Sequence, residues 1–378
     1  MAQSQASTLL MPFTKLKDPR INRTKKYALL DLIFIALSAV VSGANDCVAI
    51  AKFAQTKRPW LEKYLDLPET NPSHDTFRNV FAAIEGQHFM ECFLLWVEAL
   101  QESTNGKIVA IDGKTARATL DRAKDQNPLH IVSAWATENR LFLGQEVVHE
   151  KSNEITAIPK LLEVLELAGA LVTIDAMGCQ KQIAAKIREK EADYVLAVKG
   201  NQEHLEEDAI AAFAAVDEGW SAAKVLTYTK QDKDHGRVET RCTQTMAVPA
   251  ALRNQQEWKD LRSISRCTRT YREQGVEKSE VRYFISSLAA SAKKLAQAIR
   301  GHWGIENGLH WVLDMFFAED RNRARTGHAA ANLALLRRWV ISLLRRDEVI
   351  TGSIEKKRLQ AAWNDSAREV ILGLLMEN

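Results

Sequence analysis

Between Lys107 and Val198 the hydrophobic pattern passes repeatedly from a strand period to a helix period, and this succession restricts the fold more than any other feature of the chain. A polar break, Ser103-Thr104-Asn105-Gly106, opens it. Lys107–Ile111, Leu129–Ala136 and Leu141–Val148 then read as strands, the last two joined across Thr137–Arg140, a hairpin-length connection. Ile155–Ala168 has a helical period with Asn153 or Ser152 as its cap. Ala170–Ile174 predicts a buried strand, Gln180–Lys190 a helix, and Tyr194–Val198 a last strand.

Three antiparallel strands, then helix, strand, helix, strand, is the element order of a ribonuclease H-like α/β sheet. In such a sheet the first and fourth strands are neighbours, so Asp112, ending the first, and Asp175, ending the fourth, emerge at the same height. A third acid comes from Ala298–Asp320, where Ile305, Leu309, Val312, Leu313 and Phe316 form one apolar stripe of a helix. Glu306 falls at the edge of that stripe, roughly 100° round from Ile305. Singly, these residues have ordinary explanations: Asp-Gly after a strand is a common turn, and a glutamate beside a stripe is common on any helix. Together on this order they predict three convergent acids, which repel one another unless cations sit among them. Hard divalent ions, Mg²⁺ or Mn²⁺, suit oxygen donors. Two such ions roughly 4 Å apart activate an attacking oxygen and stabilise the leaving oxygen of a phosphodiester.

His302, Glu306 and His310 share a helix face at spacing four, so zinc has to be weighed. The pattern is not H-E-x-x-H, and the scattered cysteines Cys47, Cys92, Cys179, Cys242 and Cys267 form no C-x-x-C pair. That also argues against a disulfide framework and fits a reducing cytoplasm. His302 and His310 are instead expected to contact phosphate or stand behind the carboxylates. Trp303 and Trp311 have a core role as default, with Trp303 able to stack on an unpaired base. The apolar run Leu29–Gly43 contains Asp31 and is too short for a bilayer, so no membrane partner is expected.

The net charge of +3 does not demand a nucleic-acid partner, but the positive charge is clustered. Lys15, Lys17, Arg20, Arg23, Lys25 and Lys26 crowd the N-terminal arm, and Arg321, Arg323, Arg325, Arg337, Arg338, Arg345 and Arg346 follow the Glu306 element. Residues 1–102 read as a helical domain, either a cap of no special role or a DNA-end-binding domain, built from Leu29–Ser42, Cys47–Gln55, His74–Ile84 and Gln87–Leu100, with Arg78 at a helix start. Residues 103–200 and 291–346 form the two parts of the ribonuclease H-like core. A β-rich insertion at 201–290 separates them: a helix, Glu203–Val216, then strands Lys224–Thr229, Val238–Val248, Leu261–Thr270 and Ser279–Ser287. Its turn at His235-Gly236-Arg237 is a second candidate for end recognition. Residues 347–378 make a helical tail with Asp365–Met376 as its helix. Lys114 and Lys199, just past their strands, are expected at phosphate.

At these residues the chain resembles the H-repeat-associated (Rhs-linked) proteins and the ISAs-type insertion-sequence transposases. The resemblance is carried by A-I-D-G-K-T, E-K-S-N-E-I-T-A-I-P-K-L-L, T-I-D-A-M-G-C-Q-K, Y-V-L-A-V-K-G-N-Q, H-G-R-V-E-T-R and H-W-G-I-E-N-G-L-H-W-V-L-D, in that order. It implies a DDE transposase with an interrupted ribonuclease H-like core and an acidic triad at Asp112, Asp175 and Glu306 as metal ligands. Two Mg²⁺ ions, cleavage at insertion-sequence ends, strand transfer into target DNA, and a homodimer on double-stranded DNA follow from it. The tyrosine-arginine-glutamate-lysine signature of a sister branch is absent, since His302 and Leu313 occupy its flanking positions. The alternatives are a nuclease of the same core without strand transfer, and a DNA-binding remnant of a decayed element.

Overall fold

The computed structural model describes residues 9–21, 23, 25–100, 103–121, 123, 127–148, 152–234, 237–273 and 276–374. Its strands are β1 (Ile108–Ala116), β2 (Leu129–Ala136), β3 (Leu141–Val148), β4 (Leu171–Ile174), β5 (Asp193–Val198), β6 (Leu226–Asp234), β7 (Arg237–Ala247), β8 (Ser263–Glu273) and β9 (Val276–Ser286). They form one mixed sheet in the order β3-β2-β1-β4-β5-β9-β8-β7-β6. β1, β2 and β3 pair antiparallel, whereas β1–β4 and β4–β5 are parallel. β4 reads Leu-Val-Thr-Ile and is buried throughout, because parallel strands carry helices on both faces and leave no polar alternation. The strands of 226–286 continue the same sheet through an antiparallel β5–β9 pairing from Val195↔Ser286 to Val198↔Tyr283.

One strand differs from expectation in a way that matters. β1 does not end at Asp112 but runs on to Ala116, because β2 pairs with it over its full extension, Thr115 opposite His130 and Ala116 opposite Leu129.

The α-helices of seven residues or more, among the described residues, are α1 (Leu29–Val41), α2 (Cys47–Thr56), α3 (His74–Ala83), α4 (Gly86–Ala99), α5 (Glu154–Val164), α6 (Lys181–Glu189), α7 (Glu203–Asp217), α8 (Ala292–Ile305), α9 (Trp311–Phe317), α10 (Ala329–Arg346), α11 (Ile354–Trp363) and α12 (Asp365–Ile371). Ser73 caps α3 by accepting from the Thr76 amide at 3.2 Å. Asn153 and Thr156 cap α5 reciprocally. The tail is two helices rather than one, because Asn364 breaks the chain and caps α12 through the Ser366 amide at 2.9 Å. Among the described residues no single helix is long and apolar enough to cross a membrane.

The N-terminal helices share their core with the sheet. α1 is buried from Leu32 to Val41. Phe13 stacks on Trp339 of α10 at 4.6 Å, and Phe93 of α4 lies 5.2 Å from Phe142 of β3. Arg358 of α11 fastens the end of α1, donating to the carbonyl of Val40 and to Asn45 Oδ1, each at 2.9 Å. The same guanidinium donates to the Phe316 carbonyl and lies 4.1 Å over the Phe317 ring.

Candidate active site

β4 stops at Ile174, opposite Ile111, while β1 continues. Among the described residues β1 therefore has no strand partner on that side from Asp112 onward, and the site is built in this notch. Asp112 and Asp175 follow the paired residues Ile111 and Ile174 on neighbouring parallel strands. Burial pushes the Asp112 carboxyl up to about 6, against the pull of nearby His310. Asp175 turns the chain after β4, its Oδ1 accepting from the amides of Met177 (3.1 Å) and Gly178 (3.4 Å). Its carboxyl is raised by burial and then by the charge of Glu154.

The third acid arrives on an interrupted helix. α8 gives way at Glu306 to a π turn, Glu306–His310, before α9 resumes. Ile305, Leu309, Val312 and Leu313 are buried as the spacing predicts, but the last buried position of α9 is Phe317, one turn past Leu313, and not Phe316. Short π segments of this kind recur at functional sites. The helix can lie close to the sheet because its approaching face is glycine. A Cβ at Gly301 would stand 2.6 Å from Ile108, and one at Gly308 3.0 Å from Trp135. A left-handed residue, Ala318 at φ 50°, ends α9.

His310 is 4% exposed, its Nδ1 3.2 Å from Glu306 Oε2 and 3.6 Å from Asp112 Oδ2. Its hydrogen bond holds the Glu306 carboxyl below the usual range. Ligand atoms of Asp112, Glu306 and His310 all lie within 4.8 Å of one another. Among the described residues, buried His310 Nε2 has no hydrogen-bond partner. Two carboxylates and an imidazole so close, one carboxyl raised by burial, are a donor set suited to a divalent cation, with Asp175 beside them on the next strand. His302 turns inward, its Nδ1 3.1 Å from Thr173 Oγ1 of β4, and burial drives its pKa down to about 4.

An open groove of about 500 Å³ leads from this point, lined by Gly113, Lys114, Thr115, Arg117, Glu306, His310 and Asp314. Lys114 is held at 2.6 Å by Asp314 of α9. Arg321, Arg323 and Arg325 are exposed nearby in chain order, Arg325 donating to the Ala118 carbonyl at 3.2 Å. Both tryptophans, expected in the core, are exposed: Trp303 at 42%, with the Arg282 guanidinium 5.8 Å over its ring, and Trp311 at 49%, edge-on to Phe316.

The other expected contacts are spread more widely. Lys15, Lys17, Lys25 and Lys26 are exposed on the arm, while Arg20 is taken by Asp18 and the Tyr27 carbonyl. Arg78 is exposed and paired with Asp75 at 2.7 Å, and Lys199 is exposed past β5. The side chain of Arg237 and the turn residues His235 and Gly236 lie outside the described residues. Arg337 and Arg338 are not surface charges at all. Arg338 is buried against Glu319 at 2.6 Å, and Arg337 donates to the Asn45 carbonyl at 2.9 Å. The two follow the exposed arginines in sequence, but in α10 these positions face the core.

Sequence reasoning missed His130 and Glu154. They are 2.7 Å apart, and His130 Nδ1 also lies 2.7 Å from Thr115 Oγ1. These contacts join β1, β2 and the start of α5, a meeting that no local pattern reveals.

A family model described as "Transposase DDE domain" matches residues 103–343, and one described as "DDE_Tnp_1-associated" matches residues 10–97. The chain is 39% identical over 375 residues to "Putative transposase YncI" of Escherichia coli O157:H7, covering 98% of this chain and 95% of that one. It is 37% identical over 349 residues to "H repeat-associated putative transposase YhhI" of Escherichia coli (strain K12), covering 90% of each. A solved structure titled "Cryo-EM structure of piggyBac transposase synaptic complex with hairpin DNA (SNHP)" aligns with a TM-score of 0.44 at 10% identity, over 98% of this chain and 77% of that one.

Proposed function

The chain belongs to the DDE-domain transposases, and on that premise we propose that it cuts DNA at the ends of its own insertion sequence and joins them to target DNA. One observation carries the reading: the β1–β4 register sets Asp112 and Asp175 side by side, and the π turn brings Glu306 and His310 against Asp112. The 3-2-1-4-5 order at the head of the sheet supports a ribonuclease H-like core made of residues 103–200 and 291–346.

Asp112, Asp175 and Glu306 would hold the divalent cations, two Mg²⁺ or Mn²⁺. When bound, these supply Lewis-acid activation of the attacking oxygen and charge stabilisation at the leaving one. The rest falls to the chain. His310 keeps the Glu306 carboxylate turned toward Asp112. Lys114, fixed by Asp314, presents a positive charge in the groove where a phosphodiester would lie. Arg321, Arg323 and Arg325 extend that charge along the path of the cut strand, and exposed Trp303 offers a face for an unpaired base. Exposed Lys15, Lys17, Lys25, Lys26 and Arg78 engage the terminal repeat from the helical block 1–102, with Lys199 and Arg237 supplementing them from 103–200 and 201–290. Two ends must be held at once, so the acting form is a homodimer on double-stranded DNA in the bacterial cytoplasm.

The test supplies the full-length chain with pre-cut oligonucleotide ends, target plasmid and Mg²⁺ or Mn²⁺. Joined products support the reading, cleavage without joining reduces it to a nuclease, and end binding with neither leaves a DNA-binding remnant. Activity that survives thorough chelation overturns the mechanism.

A further inference from the structure

Resting on the transposase reading of the site, we propose that His310 is itself a ligand of the divalent cation, through Nδ1, and that this nitrogen tilts the site toward Mn²⁺ over Mg²⁺. Glu306 and His310 are the first and last residues of the π turn, and Asp112 meets them from β1. Nδ1 looks at one oxygen of each acid, Glu306 Oε2 at 3.2 Å and Asp112 Oδ2 at 3.6 Å. The first contact is a long hydrogen bond, and the second is too long to be one. Both approach the spacing of ligands on a single ion: neighbouring donors on an octahedral cation with bonds of about 2.1 Å stand roughly 3 Å apart. The donor atoms of all three residues lie within 4.8 Å of one another, and opposite donors on such an ion are about 4.2 Å apart.

Holding Glu306 in place does not account for this ring. His310 is 4% exposed, and among the described residues its buried Nε2 meets no partner. The polar side of the imidazole is therefore the Nδ1 side, turned to the two acids. In the metal-free chain a proton on Nδ1 serves the hydrogen bond to Glu306. That proton would be repelled by a divalent ion between Asp112 Oδ2 and Glu306 Oε2. The same nitrogen with its lone pair free, the proton carried on Nε2, is instead a donor to the ion. The ring is packed in and stays beside the ion in either form. Imidazole is a ligand of transition metals, while Mg²⁺ keeps to oxygen donors and holds its waters. Of the two ions, a nitrogen in the donor set favours Mn²⁺.

The experiment loads the full-length chain, without DNA, with Mn²⁺ alone and records the electron spin-echo envelope modulation of the bound ion. Competition by Mg²⁺ gives the relative affinity, and metal-free melting reports folding. We expect the modulation of a directly bonded imidazole nitrogen in the wild type and its loss in His310→Gln. His310→Asp, which makes the site all oxygen, should lower the Mn²⁺ to Mg²⁺ affinity ratio about tenfold. Bound Mn²⁺ that is lost in Asp112→Asn yet shows no bonded nitrogen in the wild type overturns the proposal and leaves the catalytic reading intact. Nitrogen modulation that persists in a folded His310→Gln chain, or an unchanged ratio in a folded His310→Asp chain, is equally fatal. If neither variant folds, the wild-type spectrum decides. Wild-type Mn²⁺ affinity in Asp112→Asn would overturn the reading of the site itself, and this proposal with it.

Discussion

Asp112→Asn should make the metal-free protein more stable, and more so as the pH rises. The Asp112 carboxyl, 26% exposed, has its pKa moved by burial from 3.8 to about 6. Between those values the folded chain holds a proton that the unfolded chain has lost, so stability falls as pH rises through the window and the full cost is present above it. At ~1.4 kcal/mol per pH unit, that cost is about 3 kcal/mol at most. The asparagine escapes it but gives up the contact with His310, so the net gain is smaller. Chains of 150–250 residues move roughly 2–4 °C in Tm per kcal/mol and longer ones less, so a rise of a few degrees is expected above pH ~7. It should shrink steadily below pH ~6. Melting in chelator across a pH series reads this directly. Adding Mn²⁺ should then raise the wild type and leave the variant unmoved. A variant that melts no higher than wild type above neutrality would refute the claim that burial holds the Asp112 carboxyl above its ordinary range.

Asp175→Ala and Glu306→Ala should each cost several kcal/mol of transition-state stabilisation, roughly a thousandfold in cleavage and joining, with end binding by gel shift nearly intact; full activity in either sinks the triad. Glu319→Gln should lower stability by about 3–5 kcal/mol in urea titration, because it strands the buried Arg338 guanidinium without its counter-charge. Neutralising Lys15, Lys17, Lys25 and Lys26 together should reduce the log–log salt slope of end binding by about 0.9 for each phosphate no longer engaged, with preference for element ends retained. A slope unchanged in the full-length variant would remove the arm from the interface.

Much of this architecture was legible in the sequence because strand and helix periods are local. Leu129–Ala136 and Leu141–Val148 are observed as predicted, and Asn153 caps the helix that its position announces. What was not legible is set by partners distant in sequence. β1 outruns its apolar run because β2 supplies hydrogen bonds to Ala116. The π turn has no compositional mark, so in sequence His310 is one more residue on a regular face. Arg337 and Arg338 look like any surface pair until α10 is seen to be buried along nearly its whole length. His130 and Glu154 meet only after a strand, a hairpin and a capped helix are all in place.

The bolt made by Arg358 has a genetic consequence. A single guanidinium closes both the Val40–Asn45 corner and the Phe316–Phe317 end of the Glu306 helix. A gene copy interrupted by a nonsense codon before position 358 would therefore encode a chain whose first helix and whose catalytic helix both lack their fastening. Such a product should be open at both places and cleared by proteases, leaving little folded chain.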